Sequence, residues 1–357
     1  MISSGKLRGK MRTASRKPII IWLLLVALCV WGMIVLGGLT RLTESGLSIV
    51  EWKVVSGILP PLTETAWEAE FEQYRTSPQY HKINKGMTLS EFKGIFWLEY
   101  LHRLAGRAIG LVFLLPLVYF AARKQLPGWL GWQLAGIFCL GGLQGAIGWY
   151  MVKSGLVNEP MVSQYRLALH LGMAFLLMGL LIIAALELTQ KPTSAERLES
   201  KWLPRIAGMV VAICFVQVLL GALVAGLDAG LTYNTFPLMD GKWLPSGLYL
   251  MEPAYINHFE NITMVQFQHR VGALVLMLAV LALAVMVWRD PAASGALKCK
   301  ILLLVGVLAV QVVLGIATLL LQVPVELASA HQAVAALFFA LSVWVWYEIH
   351  ARRHNLA

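Results

Sequence analysis

Four histidines of this 357-residue chain lie inside long apolar runs: His102, His170, His269 and His331. Each stands about four to six residues from one end of its run, a shared depth of roughly 8 Å at 1.5 Å per residue. A lone imidazole in hydrocarbon suits a proton relay as well as a metal. Four at one depth, two per half of the chain, suit a pair of bis-imidazole sites. In an up-down four-helix bundle the second and fourth helices are parallel and diagonal, so residues at equal depth face each other across the centre. Two imidazoles placed so fill both axial positions of one haem iron, which pairs His102 with His170 and His269 with His331. A zinc or di-iron site lacks ligands, because no further His, Cys or carboxylate pair stands at that depth. His81, His258, His350 and His354 fall in loops or the tail and receive no role.

The two halves differ at one ionisable position. Glu99 precedes His102 by three residues and projects from the same helix face. The matching place before His269 holds Gln266, which cannot ionise. A carboxyl group this close to hydrocarbon is costly unless it is used or paired. The first half therefore reads as the place of chemistry, with Glu99, His102 and His170 as its catalytic set. The second reads as an electron-holding haem site. Pairing of Glu99 with Arg103 is the plainer alternative. Arg103, Arg107, Arg166 and Arg270 stand near the same ends, placed to meet haem propionates or to reach the interface. Gly106, Gly110, Gly172 and Gly272 follow the histidines and would admit a flat macrocycle or a neighbouring helix.

The elements that must position these residues are membrane spans. Hydrophobic residues make up 58% of the chain and charged ones 13%, about half the charge of a soluble domain. Apolar stretches long enough to cross about 30 Å of hydrocarbon run over 19–39, 99–121, 129–150, 165–188, 205–226, 265–288, 301–322 and 328–349. The net charge of +10 is confined to short segments between them, which argues against a nucleic-acid face. Of 29 Lys and Arg, 17 fall on the N-terminal tail, the 123–124, 189–205 and 289–300 loops and the C-terminal tail. Eight fall on the other side, so the positive-inside rule puts both termini in the cytoplasm. The basic first 17 residues and the long run from Ile19 to Leu39 read as a tail and retained first helix rather than a cleaved signal, and favour a bacterial inner membrane. Thr88-Leu89-Ser90-Glu91 is a capping-box pattern, placing a helix start ahead of the second span. Cys29, Cys139, Cys214 and Cys299 have no metal-type or disulfide spacing and read as free, buried filler.

The chain also repeats itself. Glu99-Tyr100-Leu101-His102-Arg103 matches Gln266-Phe267-Gln268-His269-Arg270, and Gln144-x-x-x-Gly148 matches Gln311-x-x-x-Gly315 at the same offset. Ser45-Gly46-Leu47-Ser48 resembles Ala229-Gly230-Leu231-Thr232. The expected fold is an all-α integral membrane protein of eight transmembrane helices, arranged as two parallel-repeat four-helix bundles. Its halves are 1–188 and 205–357, joined by a cytoplasmic linker at 189–204.

These residues resemble the heme A synthase family. The likeness rests on the run from Gly37 to Ser48 (GGLTRLTESGLS), on Glu99 to Arg103, and on His170, His269 and His331. It implies a permanent heme b between His269 and His331, with Arg270 beside it, and substrate heme O between His102 and His170. It implies oxidation of a ring methyl of heme O to a formyl, giving heme A for cytochrome oxidase, with Glu99 as the essential acid. Heme O and heme A are the implied small-molecule partners and membrane lipid the surroundings; handing over of an insoluble substrate makes heme O synthase and oxidase assembly factors candidate protein partners, and the sequence leaves the oligomeric state open. Family members often carry a cysteine pair in the first outer loop; residues 41–97 hold none here. Two other readings exist. A transmembrane di-haem conduit needs haems at both faces, whereas all four histidines share one side. A haem chaperone or exporter leaves the contrast between Glu99 and Gln266 without a reason.

Overall fold

The computed structural model describes residues 13–51, 56–155, 162–189 and 198–354. In chain order the helices are α1 (Thr13–Leu42), α2 (Glu64–Arg75), α3 (Pro78–Lys82), α4 (Leu89–Ala122), α5 (Gly128–Gly155), α6 (Gln164–Glu187), α7 (Leu203–Gly226), α8 (Asn257–Glu260), α9 (Ile262–Arg289), α10 (Gly295–Leu320) and α11 (Val325–His354). Among the described residues, eight are long and apolar enough to cross a membrane: α1, α4, α5, α6, α7, α9, α10 and α11. The protein is an all-helical, multi-pass membrane protein. Its outward faces carry Ile21, Leu115, Trp132 and Val313 largely exposed, as expected where lipid replaces water and each helix satisfies its own backbone.

Packing follows chain order. In the first half α1 packs on α4, α4 on α5, α5 on α6 and α6 back on α1. In the second, α7 packs on α9, α9 on α10, α10 on α11 and α11 back on α7. The histidine-bearing helices α4 and α6 are thus both flanked by α1 and α5, and α9 and α11 by α7 and α10. The halves meet through α1, α6, α7 and α11, whose buried Phe175, Leu181, Val210, Phe338 and Phe339 belong to one core. The expected linker at 189–204 and the basic N-terminal tail lie largely outside the described residues.

The start of α4 follows its local sequence. Thr88 caps the helix, its Oγ1 accepting from Glu91 N at 3.3 Å while Glu91 Oε2 accepts from Thr88 N at 2.8 Å. This reciprocal pair carries α4 ten residues beyond the expected start of its span. The extension receives α2 and α3 on a buried cluster of Trp67, Phe71, Tyr74, Phe92, Phe96 and Tyr100. Burial pushes the Tyr74 phenol above its ordinary range. The cysteines correct one expectation. All four are free, but only Cys214 is buried; Cys139 and Cys299 are exposed. Cys139 lies mid-span in α5, where lipid covers an apolar thiol as a core would, whereas Cys299 lies between Lys298 and Lys300 near the start of α10.

Candidate functional site

One local arrangement occurs four times. Each histidine lays its Cε1 over a glycine on the preceding long helix. A Cβ at Gly37 would stand 3.3 Å from His102, at Gly148 3.0 Å from His170, at Gly221 3.2 Å from His269, and at Gly315 2.8 Å from His331. A side chain at any of these glycines would push the ring from its seat. His102 and His170 stand on α4 and α6, each flanked by α1 and α5, and His269 and His331 on α9 and α11, each flanked by α7 and α10.

A glutamine one turn before the glycine holds three of the four histidines. Gln144 Nε2 donates to the His170 carbonyl at 3.0 Å. Gln217 Nε2 donates to the His269 carbonyl at 2.9 Å and lies 3.1 Å from its Nδ1. The His331 Nδ1 lies 3.1 Å from the Gln311 carbonyl, and its Nε2 lies 3.3 Å from the Gln311 amide, so one glutamine fixes the ring. At the fourth place, before Gly37, stands Met33. Gln217 and Gly221 are absent from the sequence reading, although Gln217-Val218-Leu219-Leu220-Gly221 carries the same spacing. Gly37 was read only as part of a family motif.

Several buried polar atoms in this region have no hydrogen-bond partner: His170 Nδ1, Arg270 Nε, and Oε1 of Gln144, Gln217 and Gln311. Among the described residues no three His, Cys, Asp or Glu side chains converge, so the donor set is two imidazoles per half. Paired imidazoles over glycine seats, with an unpartnered guanidinium nitrogen nearby, fit a planar, anionic haem.

Glu99 is 3% exposed. Its Oε2 accepts from Ser48 Oγ and from Ile49 N, both at 2.8 Å. Its Oε1 accepts from Arg103 Nε at 3.0 Å and Nη2 at 2.5 Å. Arg103 also donates to the Ile49 carbonyl at 2.8 Å and the Glu51 carbonyl at 3.2 Å. The second half repeats the frame without the charge. Gln266 Nε2 donates to the Ala229 carbonyl at 2.8 Å, and Gln266 Oε1 accepts from Arg270 at 3.0 Å. Arg270 in turn donates to the carbonyls of Tyr233 at 2.7 Å and Thr235 at 2.9 Å. Arg103 and Arg270 thus clamp the chain that follows α1 and α7. Arg166 bonds Ser154 and lies over Tyr150.

The expected glycines divide differently. A Cβ at Gly172 would meet Leu219 at 2.8 Å, and one at Gly272 would meet Leu220 at 3.1 Å, so both serve helix contacts. Gly106 faces Met33 at 3.5 Å and Gly110 faces open space.

Comparison with known proteins adds the following. A family described as cytochrome oxidase assembly protein matches residues 20–343. The chain is 49% identical over 340 residues to a heme A synthase of Nitrosospira multiformis, covering 94% of each. It is 49% identical to a heme A synthase of Nitrosomonas eutropha, over 93% of this chain and 94% of the relative. A heme A synthase of Rhizobium rhizogenes is 46% identical, over 93% of this chain and 90% of the relative.

Proposed function

We propose, on the premise that this chain belongs to the cytochrome oxidase assembly protein family and is a heme A synthase, that it oxidises one ring methyl of heme O to a formyl by successive hydroxylations and loss of water. The observation that carries the reading is the contrast between Glu99 and Gln266 in two otherwise matched frames. Two equal electron-carrying sites would have no use for a buried carboxylate in one of them.

The C-terminal pair, His269 and His331, would hold heme b, with Arg270 Nε offered to a propionate. That group, when bound, supplies one-electron redox chemistry and lets electrons leave the substrate. The N-terminal pair, His102 and His170, would bracket heme O as substrate. Glu99 sits one turn from His102 on the same face of α4, at the aqueous end of the site. All the hydrogen bonds it makes are to donors, so its oxygens act as acceptors there. From this position Glu99 would take a proton from a reacting water or stabilise positive charge developing beside the methyl. Ser48 and Ile49 fix one oxygen and Arg103 the other, so the carboxylate cannot swing away. We place the chain in the bacterial inner membrane with both termini cytoplasmic. An insoluble substrate favours direct transfer from heme O synthase, and loss of co-purification in mild detergent would count against that contact.

The test is haem extraction and chromatography of wild type and Glu99→Gln, each co-expressed with a heme O synthase. Heme b with heme A is expected in the wild type. Heme b with heme O or a hydroxylated intermediate is expected in the variant. Heme b alone in both, where heme O is demonstrably made, sinks the reading.

A further inference from the structure

The two halves differ again on the side of the histidines away from Glu99. Between α1 and α4 lies an apolar cavity of about 240 Å³ whose walls include Gly32, Met33, Leu36, Ala105, Ala108 and Val112. It starts one turn deeper than His102 and runs along α4 for about 10 Å, from Ala105 to Val112. It is open on one side, with Ala108 and Val112 exposed. Met33 ties it to the imidazole seat, since it stands one turn before Gly37.

Taking Gly37 with Gly221 and His102 with His269 as equivalents, the corresponding place between α7 and α9 is built differently. Gly32 becomes Val216, Ala108 becomes Val275 and Met33 becomes Gln217. There the side chains of Gln217 and Leu220 lie directly against Gly272, Leu220 Cδ1 standing 3.1 Å from where its Cβ would be. Gly32 and Ala108 are thus the smaller residues in the Glu99 half, while Ala105 and Val112 become Gly272 and Ala279, and it is Gln217 and Leu220 that fill the space beside Gly272 in the other half.

We infer that this α1/α4 groove receives the isoprenoid chain of the substrate haem. The inference rests on the proposed function and names the subsite that function requires. Heme O carries its long alkyl chain on the ring edge remote from the propionates. Charged propionates must stay at the aqueous end of the site, where the arginines are. The chain then points from His102 toward the bilayer centre, along Ala105, Ala108 and Val112. In lipid the groove gains no hydrophobic advantage over the surrounding acyl chains. What it supplies is shape: a chain lying in it fixes the rotation of the macrocycle about the iron axis. That rotation decides which methyl faces Glu99. A resident haem without such a chain has no use for the groove, which agrees with its replacement by packed side chains between α7 and α9.

Gly32 supplies the test, because a Cβ there would meet nothing within 4 Å. Gly32→Leu therefore enters the groove from a position where the first added carbon is free of contact. Purified heme b-loaded wild type, Gly32→Leu and, from the facing wall, Ala108→Leu are titrated with heme O and with mesohaem, a macrocycle lacking the chain. Bound haem is extracted and counted against heme b. Heme O affinity should fall about tenfold in both variants, with mesohaem uptake and heme b content as in the wild type. Unchanged heme O affinity in both variants overturns the groove assignment, and so does an equal loss of heme O and mesohaem. A wild type that takes up neither haem in its N-terminal half fails the proposed function itself, and the groove assignment falls with it.

Discussion

At the scale of single residues, the asymmetry of the imidazoles' supports complements that of Glu99 and Gln266. In the C-terminal half each ring has polar neighbours at both nitrogens, the Gln217 amide for His269 and the Gln311 carbonyl and amide for His331. In the N-terminal half Gln144 reaches only the His170 backbone, the His170 Nδ1 is without a partner, and Met33 replaces the fourth glutamine. Rings held by polar neighbours suit a haem that stays; rings held less firmly suit one that comes and goes. Groups behind a metal ligand change affinity about 10–100-fold when removed. Gln217→Leu should therefore weaken heme b retention by about that factor, and Gln144→Leu should leave it unchanged, as measured by haem transfer to apomyoglobin. Equal behaviour of the two variants would remove the distinction. The pairing has its own check, in that His331→Ala should strip heme b while His170→Ala keeps it. The reverse pattern would exchange the roles of the halves.

At the scale of elements, the histidine-side end of the first half is tied together by hydrogen bonds between its loop segments. Tyr74 donates to Gln79 Oε1 at 3.1 Å and accepts from Asn84 at 2.7 Å, while Gln79 Nε2 donates to the Glu44 carbonyl at 2.8 Å. Glu44 opens the turn that carries Ser48 and Ile49 to Glu99, so α2 and α3 brace the carboxylate from a distance. Tyr74→Phe leaves Gln79 and Asn84 short of a buried partner, at about 1–3 kcal/mol. A lower thermal midpoint in detergent is the expected readout, and an unchanged midpoint would detach this cap from the site. Because the folded Tyr74 pKa is raised, its contribution is present below the ordinary tyrosine pKa of about 10 and is lost as pH rises through the folded value. The variant should therefore lack an alkaline loosening that the wild type shows.

Much of this was legible in residue order alone. The spans could be read because lipid imposes length and apolarity on every helix, and the α4 start because Thr88 and Glu91 are close in sequence. The common place of the four histidines in their spans was legible because depth in a span is a count of residues. The glycine seats and the Met33 exception were not, since they depend on which helix stands beside which. The roles expected of Arg103 and Arg270 met a similar limit: both also bond carbonyls of the following loops, partners that have no spacing to read.

At the scale of the whole molecule, the two sites share a seam. Gln332, next to His331, donates to the Ile34 carbonyl at 2.7 Å, and Trp31 donates to the Ala333 carbonyl at 3.0 Å. Ile34 is one turn from Gly37, the seat of His102, so α1 and α11 bring the two imidazole pairs to a common interface. Arg41 adds a second tie, donating to Asp228 at 2.9 Å and to the Ala225 carbonyl at 2.6 Å. Both sites therefore lie toward one membrane face, and which face it is follows from charge. The loops on the histidine side are long and poor in Lys and Arg, while the opposite loops and both tails hold 17 of the 29. Translocation selects against that distribution outside, so the sites should open to the outer side. Trp243 is 77% exposed in the long loop of that side, and Cys299 is exposed at the opposite one. A membrane-impermeant maleimide applied to intact cells should label Trp243→Cys, and should reach Cys299 only after the membrane is opened. Labelling of Cys299 first would turn the molecule over and put haem oxidation on the cytoplasmic side.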